Sequence, residues 1–161
     1  DLEDAKLGIL DFIHHCDGSG GEFLYMPAGG SLNPATPETV EKRMHFVHQE
    51  GKQVFKHAVS EMARVSEEIL ERNGFTPDDV ALFVPHQANL RIIESCQKRL
   101  GLPDGKVMVN IDRFANTTSA TIPSCLAQAA QEGRLKKGDL VLLASFGAGF
   151  TWGSTLIRWA Y

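Results

Sequence analysis

Residues 81–91 read Ala81-Leu82-Phe83-Val84-Pro85-His86-Gln87-Ala88-Asn89-Leu90-Arg91. An apolar run, Val80 to Val84, has the length of a buried strand and stops at a proline. Three polar side chains, His86, Gln87 and Asn89, follow where a helical pattern begins. Leu90, Ile92, Ile93, Cys96 and Leu100 carry that pattern until Gly101 ends it. At such a junction an α/β protein presents chemistry, because the backbone has left the sheet and is still held by it.

The same alternation extends in both directions. Upstream, Lys52 to Asn73 carries Val54, Phe55, Ala58, Val59, Met62, Val65, Ile69 and Leu70 at spacings of three and four, a core-facing helix stopped by Asn73-Gly74. Before it, Thr36-Pro37-Glu38 reads as an N-cap with proline in the first turn, opening a helical segment that runs toward Gly51. Residues 22–35 form a loop pinned by Phe23, Leu24, Tyr25 and Met26, and residues 6–16 form one strand. Downstream, Thr76-Pro77-Asp78-Asp79 is a turn or short capped helix. Lys106 to Ile111 is expected as a further strand, running into Asp112-Arg113-Phe114-Ala115-Asn116. An alanine-rich helix spans about Ala120 to Gln131, with Pro123 in its first turn. After a charged turn at 133–138, Asp139 to Phe146 is the most apolar strand, and Thr151 to Trp159 returns as the second arm of a hairpin across Gly147-Ala148-Gly149. No helix follows those glycines, so they are not a dinucleotide fingerprint.

Composition narrows the functional classes. A formal charge of −4 with both signs interspersed argues against a nucleic-acid binder that works by phosphate neutralisation. Three cysteines, Cys16, Cys96 and Cys125, are too far apart for a CxxC site and suit a reducing compartment. No apolar run, Leu140 to Ala144 included, is long enough to span a bilayer, and no leader pattern opens the sequence, so a cytoplasmic protein is expected. The sequence starts on Asp1-Leu2-Glu3-Asp4 and meets apolar residues almost at once, which reads as a chain whose numbering begins inside a larger protein. His14 and His15, adjacent on a strand, point to opposite faces, and His45, His48 and His57 lack zinc-peptidase spacing, so no metal site is expected.

Three junctions, after Val84, after Ile111 and after Ser145, converge at one end of a sheet if these strands lie side by side. His86 supplies a ring nitrogen, Asn116 a neutral amide, and the 147–149 turn its backbone N–H groups. Together they suit the stabilisation of charge developing on a carbonyl oxygen. A nucleophile is missing: Cys96 and Cys125 fall within helical segments and read as packing, and Cys16, beside Asp17-Gly18, is left open.

Val84-Pro85-His86-Gln87-Ala88-Asn89-Leu90-Arg91-Ile92-Ile93, Asp112-Arg113 with Asn116-Thr117-Thr118-Ser119-Ala120, and Phe146-Gly147-Ala148-Gly149-Phe150-Thr151-Trp152-Gly153 occur in that order. They closely resemble the C-terminal half of the β-ketoacyl-acyl carrier protein synthase III family, the initiating condensing enzymes of bacterial type II fatty-acid synthesis. The resemblance covers nearly the whole chain and implies an α/β fold, a thiolase-like half with layered helices packed on a mixed sheet and a closing antiparallel hairpin, residues 1–161 being that C-terminal domain. It implies a Cys-His-Asn triad with His86 and Asn116 as its histidine and asparagine. Both would donate to the malonyl thioester oxygen while the enolate forms, and the Ala148 N–H would contribute to the oxyanion hole. Arg91 and Asn89 would stand at the entrance used by the carrier protein and CoA. The family uses CoA thioesters and phosphopantetheine-carrier substrates, needs no further cofactor and works as a homodimer. Its cysteine belongs to the N-terminal half, which would be this chain's first partner, with the acyl carrier protein its second. Phe114 and Ala115 depart from the histidine and glycine frequent in the family. A noncatalytic partner subunit and a condensing enzyme of secondary metabolism with another acyl substrate are the alternative readings.

Overall fold

The computed structural model describes residues 7–161; Asp1 to Lys6, including the expected first residue of the first strand, lie outside them. Four strands form the main sheet in the order β1-β6-β5-β4: β1 (Gly8–Cys16), β4 (Leu82–Pro85), β5 (Leu140–Gly147) and β6 (Thr151–Arg158). β1 and β5 flank β6 antiparallel and β4 runs parallel to β5, so the sheet is mixed and its last two strands are the hairpin. A two-stranded ribbon, β2 (Leu24–Tyr25) with β3 (His48–Gln49), stands apart from it.

The period of two along β4 and β5 divides the core into two layers. Phe83, Leu140 and Leu142 face a cluster with Val54, Met62, Ile69 and Ile93, from α2 (Gly51–Arg72) and α3 (Leu90–Leu100). Leu82, Val84 and Val141 face the other side, against Met108 and against Cys125 and Ala129 of α5 (Thr121–Gln131). A sheet covered on both faces needs strands apolar at every position, and all four residues of β4 are buried. The limits of α3 agree with its sequence pattern: Asn89 Oδ1 accepts from the Arg91 N–H at 2.9 Å as its N-cap, and Gly101 closes it in the left-handed conformation.

Two expected elements differ. The helix opened by Thr36 has its capping box but lasts only from Pro37 to Glu41 (α1), and the chain turns at Arg43, reaches β3 and restarts at Gly51. Helix pattern without a surface to cover is weak, and here Val40, Phe46 and Val47 are all exposed. The strand expected over Lys106–Ile111 shrinks to one bridge, Val107 beside Phe83, and Ile111–Phe114 is a short helix, α4. The buried Gln87 side chain takes the place of a neighbouring strand. Its Nε2 donates to the Pro85 and Met108 carbonyls, and its Oε1 accepts from the Asn110 N–H at 3.0 Å. Once a side chain has satisfied those backbone groups, no ladder is needed.

Candidate active site

His86 stands one residue beyond β4, where its own N–H still donates to the Ala144 carbonyl of β5 at 2.8 Å. That bond continues the parallel register and fixes the Cα of His86 relative to the hairpin. The ring is half-buried, and its Nδ1 lies 2.6 Å from Thr121 Oγ1 at the start of α5. Burial pushes the imidazole down from the ordinary histidine value, since it disfavours the charged form. Nε2 has no hydrogen-bond partner among the described residues and His86 lines an open cavity of about 1260 Å³.

Asn116 and Ala148 line the same cavity, so the three predicted junctions do meet. Asn116 follows α4 in an exposed loop, and its Oδ1 accepts from the Thr118 N–H at 2.9 Å. With the oxygen so engaged, the Nδ2 group is the end of the amide left to donate. Ala115 before it holds φ 56°, ψ −161°, and Thr118 after it holds φ 53°. The first is a conformation otherwise almost confined to glycine, and the second is costly for a β-branched residue. Strain of this kind persists only where surrounding contacts impose it.

Ala148 is the exposed tip of the β5–β6 hairpin, its N–H without an acceptor among the described residues. The hairpin is clamped by reciprocal bonds between the Asp17 and Phe150 backbones, at 2.8 and 2.6 Å. Gly20 admits the Phe150 ring, which any Cβ at that position would strike. Asn89 also lines the cavity, whereas Arg91 does not; its guanidinium stacks 5.1 Å above the ring of Phe55, a wall residue.

Gln87, grouped with the other polar residues of the junction by its position, serves structure: it is fully buried and braces the 108–110 segment. Cys96 and Cys125 are inert core thiols, raised by burial to about 12 and about 11. Cys16 ends β1 exposed on the cavity wall. His15 stacks on Trp152, His14 overlies Gly153, His45 bonds Thr39, and His57 bonds the Gln53 carbonyl. Among the described residues no three His, Cys, Asp or Glu groups come together as a metal site. Nor is any helix among them long and apolar enough to cross a membrane. Thr121 went unrecognised from sequence. Its one visible signal is a hydroxyl at the first position of a helix that begins five residues after Asn116.

Helices layered on both faces of a mixed sheet that closes in an antiparallel hairpin give the chain the fold of a thiolase-like half. The solved β-ketoacyl-[acyl carrier protein] synthase III of Thermus thermophilus aligns with 96% of the chain and 47% of its own length, at 42% identity and a TM-score of 0.83. Residues 70–159 match the family described as 3-oxoacyl-[acyl-carrier-protein (ACP)] synthase III C terminal, and the chain belongs to that family. β-Ketoacyl-[acyl-carrier-protein] synthase III of Solibacter usitatus is 56% identical over 161 residues, 100% of this chain and 49% of that protein. The corresponding protein of Koribacter versatilis is 53% identical over 99% of the chain and 48% of its own length. The chain therefore spans about half the length of the curated relatives it matches.

Proposed function

We propose that this chain supplies the histidine and asparagine of a decarboxylative condensing enzyme that joins an acyl-CoA starter to a malonyl-acyl carrier protein, releasing CoA and CO2, at the start of fatty-acid synthesis. The observation that carries this reading is the convergence of His86, Asn116 and Ala148 on one cavity from three separate junctions. A cysteine borne by an N-terminal half of the same protein holds the acyl group as a thioester. When the malonyl carboxylate leaves as CO2, its bonding pair passes into the enolate of the carrier thioester. His86 and Asn116 stabilise the negative oxygen. The enolate carbon then attacks the acyl carbonyl, whose oxygen is met by the Ala148 N–H, and the cysteine thiolate departs.

Side chains fixed by a strand end and a constrained loop do not have to reorient as that charge appears, which is where such sites gain most of their rate. Arg91, whose guanidinium lies 5.1 Å from the centre of the Phe55 ring on the cavity wall, is a cation available to an acidic carrier protein. Assembly as a homodimer and action in the cytoplasm belong to the same proposal.

The test combines the chain with the cysteine-bearing half and follows acyl-enzyme formation and condensation. Replacing His86 by Ala should lower condensation by a factor of about 10²–10³ or more while the acyl-enzyme can still be detected. Unchanged condensation would remove His86 from the mechanism. Cys16→Ser should leave acyl-enzyme formation intact, and its loss would transfer the nucleophile to β1.

A further inference from the structure

We infer that Thr121 is a positioning residue for His86: its hydroxyl accepts the Nδ1 proton, fixing the neutral ring as the Nδ1–H tautomer with the Nε2 lone pair turned to the cavity. The catalytic consequence rests on the reading of His86 given above, whereas the tautomer itself does not.

Thr121 Oγ1 lies 2.6 Å from His86 Nδ1 and 3.0 Å from the Thr118 carbonyl oxygen. The hydroxyl has one hydrogen. If it pointed at Nδ1, two oxygens would face each other 3.0 Å apart with no proton between them. If it points at Thr118, Nδ1 must carry the hydrogen, and both short contacts become hydrogen bonds. Thr121 is 1% exposed, so bulk water does not offer the hydroxyl another partner. Leaving one of two buried contacts unmade is costly in such a place.

The same peptide segment reaches the other proposed donor. Thr118 gives its N–H to Asn116 Oδ1 at 2.9 Å and takes the Thr121 hydroxyl at its carbonyl, so one short relay orients His86 at one end and Asn116 at the other. Gln87, Asn110 and Gln128 bridge the His86 junction to α5 from a second side, which keeps Thr121 at its distance.

For the reaction, Nε2 of the neutral ring is an acceptor and donates only after it has taken up a proton. The cysteine proposed for the N-terminal half can lose its proton to Nε2, becoming thiolate as the ring becomes imidazolium; CoA then leaves as its own thiolate and takes a proton from solvent, so the proton stays on Nε2. The proton acquired there then makes Nε2 a charged donor toward an oxygen. His86 is thereby fitted to serve as acceptor and donor at one atom, with Nδ1 never released from Thr121.

The experiment is histidine-selective 15N NMR on the intact protein that contains this chain, with the His86 signals identified by their loss in His86→Gln. At neutral pH the wild-type ring should show its proton on Nδ1; an Nε2–H ring would overturn the proposal without recourse to any variant. Thr121→Val, which keeps the shape and removes the acceptor, should move the signals toward the Nε2–H form, and Thr121→Ser should restore the wild-type pattern. A folded Thr121→Val protein with unchanged signals would also overturn it. In condensation assays Thr121→Val should lower kcat about 10–100-fold with little change in KM, and Thr121→Ser about twofold at most, as expected for a group that orients another. Equal losses in the two variants would mark a packing role and defeat the assignment. If the signals move as expected and His86→Gln condenses at the wild-type rate, the tautomer stands and the proposed function of His86 falls.

Discussion

The loop that carries His86 is braced by the sheet, by the buried Gln87 amide and by Thr121, while the loop that carries Asn116 is exposed from Asp112 to Ala120 and holds two non-glycine residues at positive φ. Both deliver a polar side chain to the same cavity. In the first the geometry follows from strand register, since the His86 N–H is the next rung after β4. In the second it follows from a side-chain turn, Asn116 Oδ1 on the Thr118 N–H, maintained against backbone strain. Under the proposed function the difference separates two properties that usually travel together: the His86 region serves stability and chemistry alike, and the Asn116 loop serves chemistry at some cost to stability.

The sharpest way to break that contrast is Asn116→Ala. It should lower condensation about 10²–10³-fold, the effect of deleting one donor to a developing oxyanion. Unfolding in denaturant should shift by no more than about 1 kcal/mol, because only one exposed hydrogen bond is lost. A stability loss several times larger would make the loop structural and end the comparison.

Gln87→Ala tests the other side. It strands the Asn110 N–H and the Met108 carbonyl in the interior and opens a cavity, so a loss of about 2–4 kcal/mol is expected by denaturant titration. A value under about 1 kcal/mol would mean that the 107–110 segment pairs by another route.

Ala115→Gly sharpens the role of strain. Glycine adopts the observed φ of 56° freely, and after its greater entropy loss on folding a net gain of about 1 kcal/mol should appear in the unfolding midpoint. A destabilised variant would show that the Ala115 backbone is not strained in the folded protein.

The smallest effect is in the pH dependence of stability. Burial lowers the His86 pKa in the folded chain, so between that value and the ordinary one the unfolded chain binds more protons. Stability from this group is complete above the ordinary histidine value and is lost as pH falls through the lower, folded one. His86→Gln should flatten the stability curve in that interval, and an unaltered curve would mean that His86 binds protons alike in the folded and unfolded chains.

Legibility in the sequence followed burial. β4, α3, α2 and the hairpin could be read because each has a period, two or 3.6, that the core enforces. His86 was found because a strand end is a recognisable place. The helix expected from Thr36 to Gly51 failed where nothing covered its apolar residues, and the strand over Lys106–Ile111 failed where a glutamine side chain took over the bonding of a neighbouring strand. Thr121 was missed because a threonine at the start of a helix ordinarily reads as part of the helix end. Its importance comes from a residue 35 positions away, His86, whose Nδ1 it meets.

The layers, the order of the junctions and the residue types at them are legible along the chain, because periodicity and caps are local consequences of backbone geometry and burial. That three junctions share one cavity, that Gln87 belongs to the scaffold, and that Thr121 stands between His86 and the Asn116 loop emerge only in the folded protein. Those facts depend on contacts between segments distant along the chain, and the identity of a polar residue does not reveal which distant hydrogen or lone pair will satisfy it.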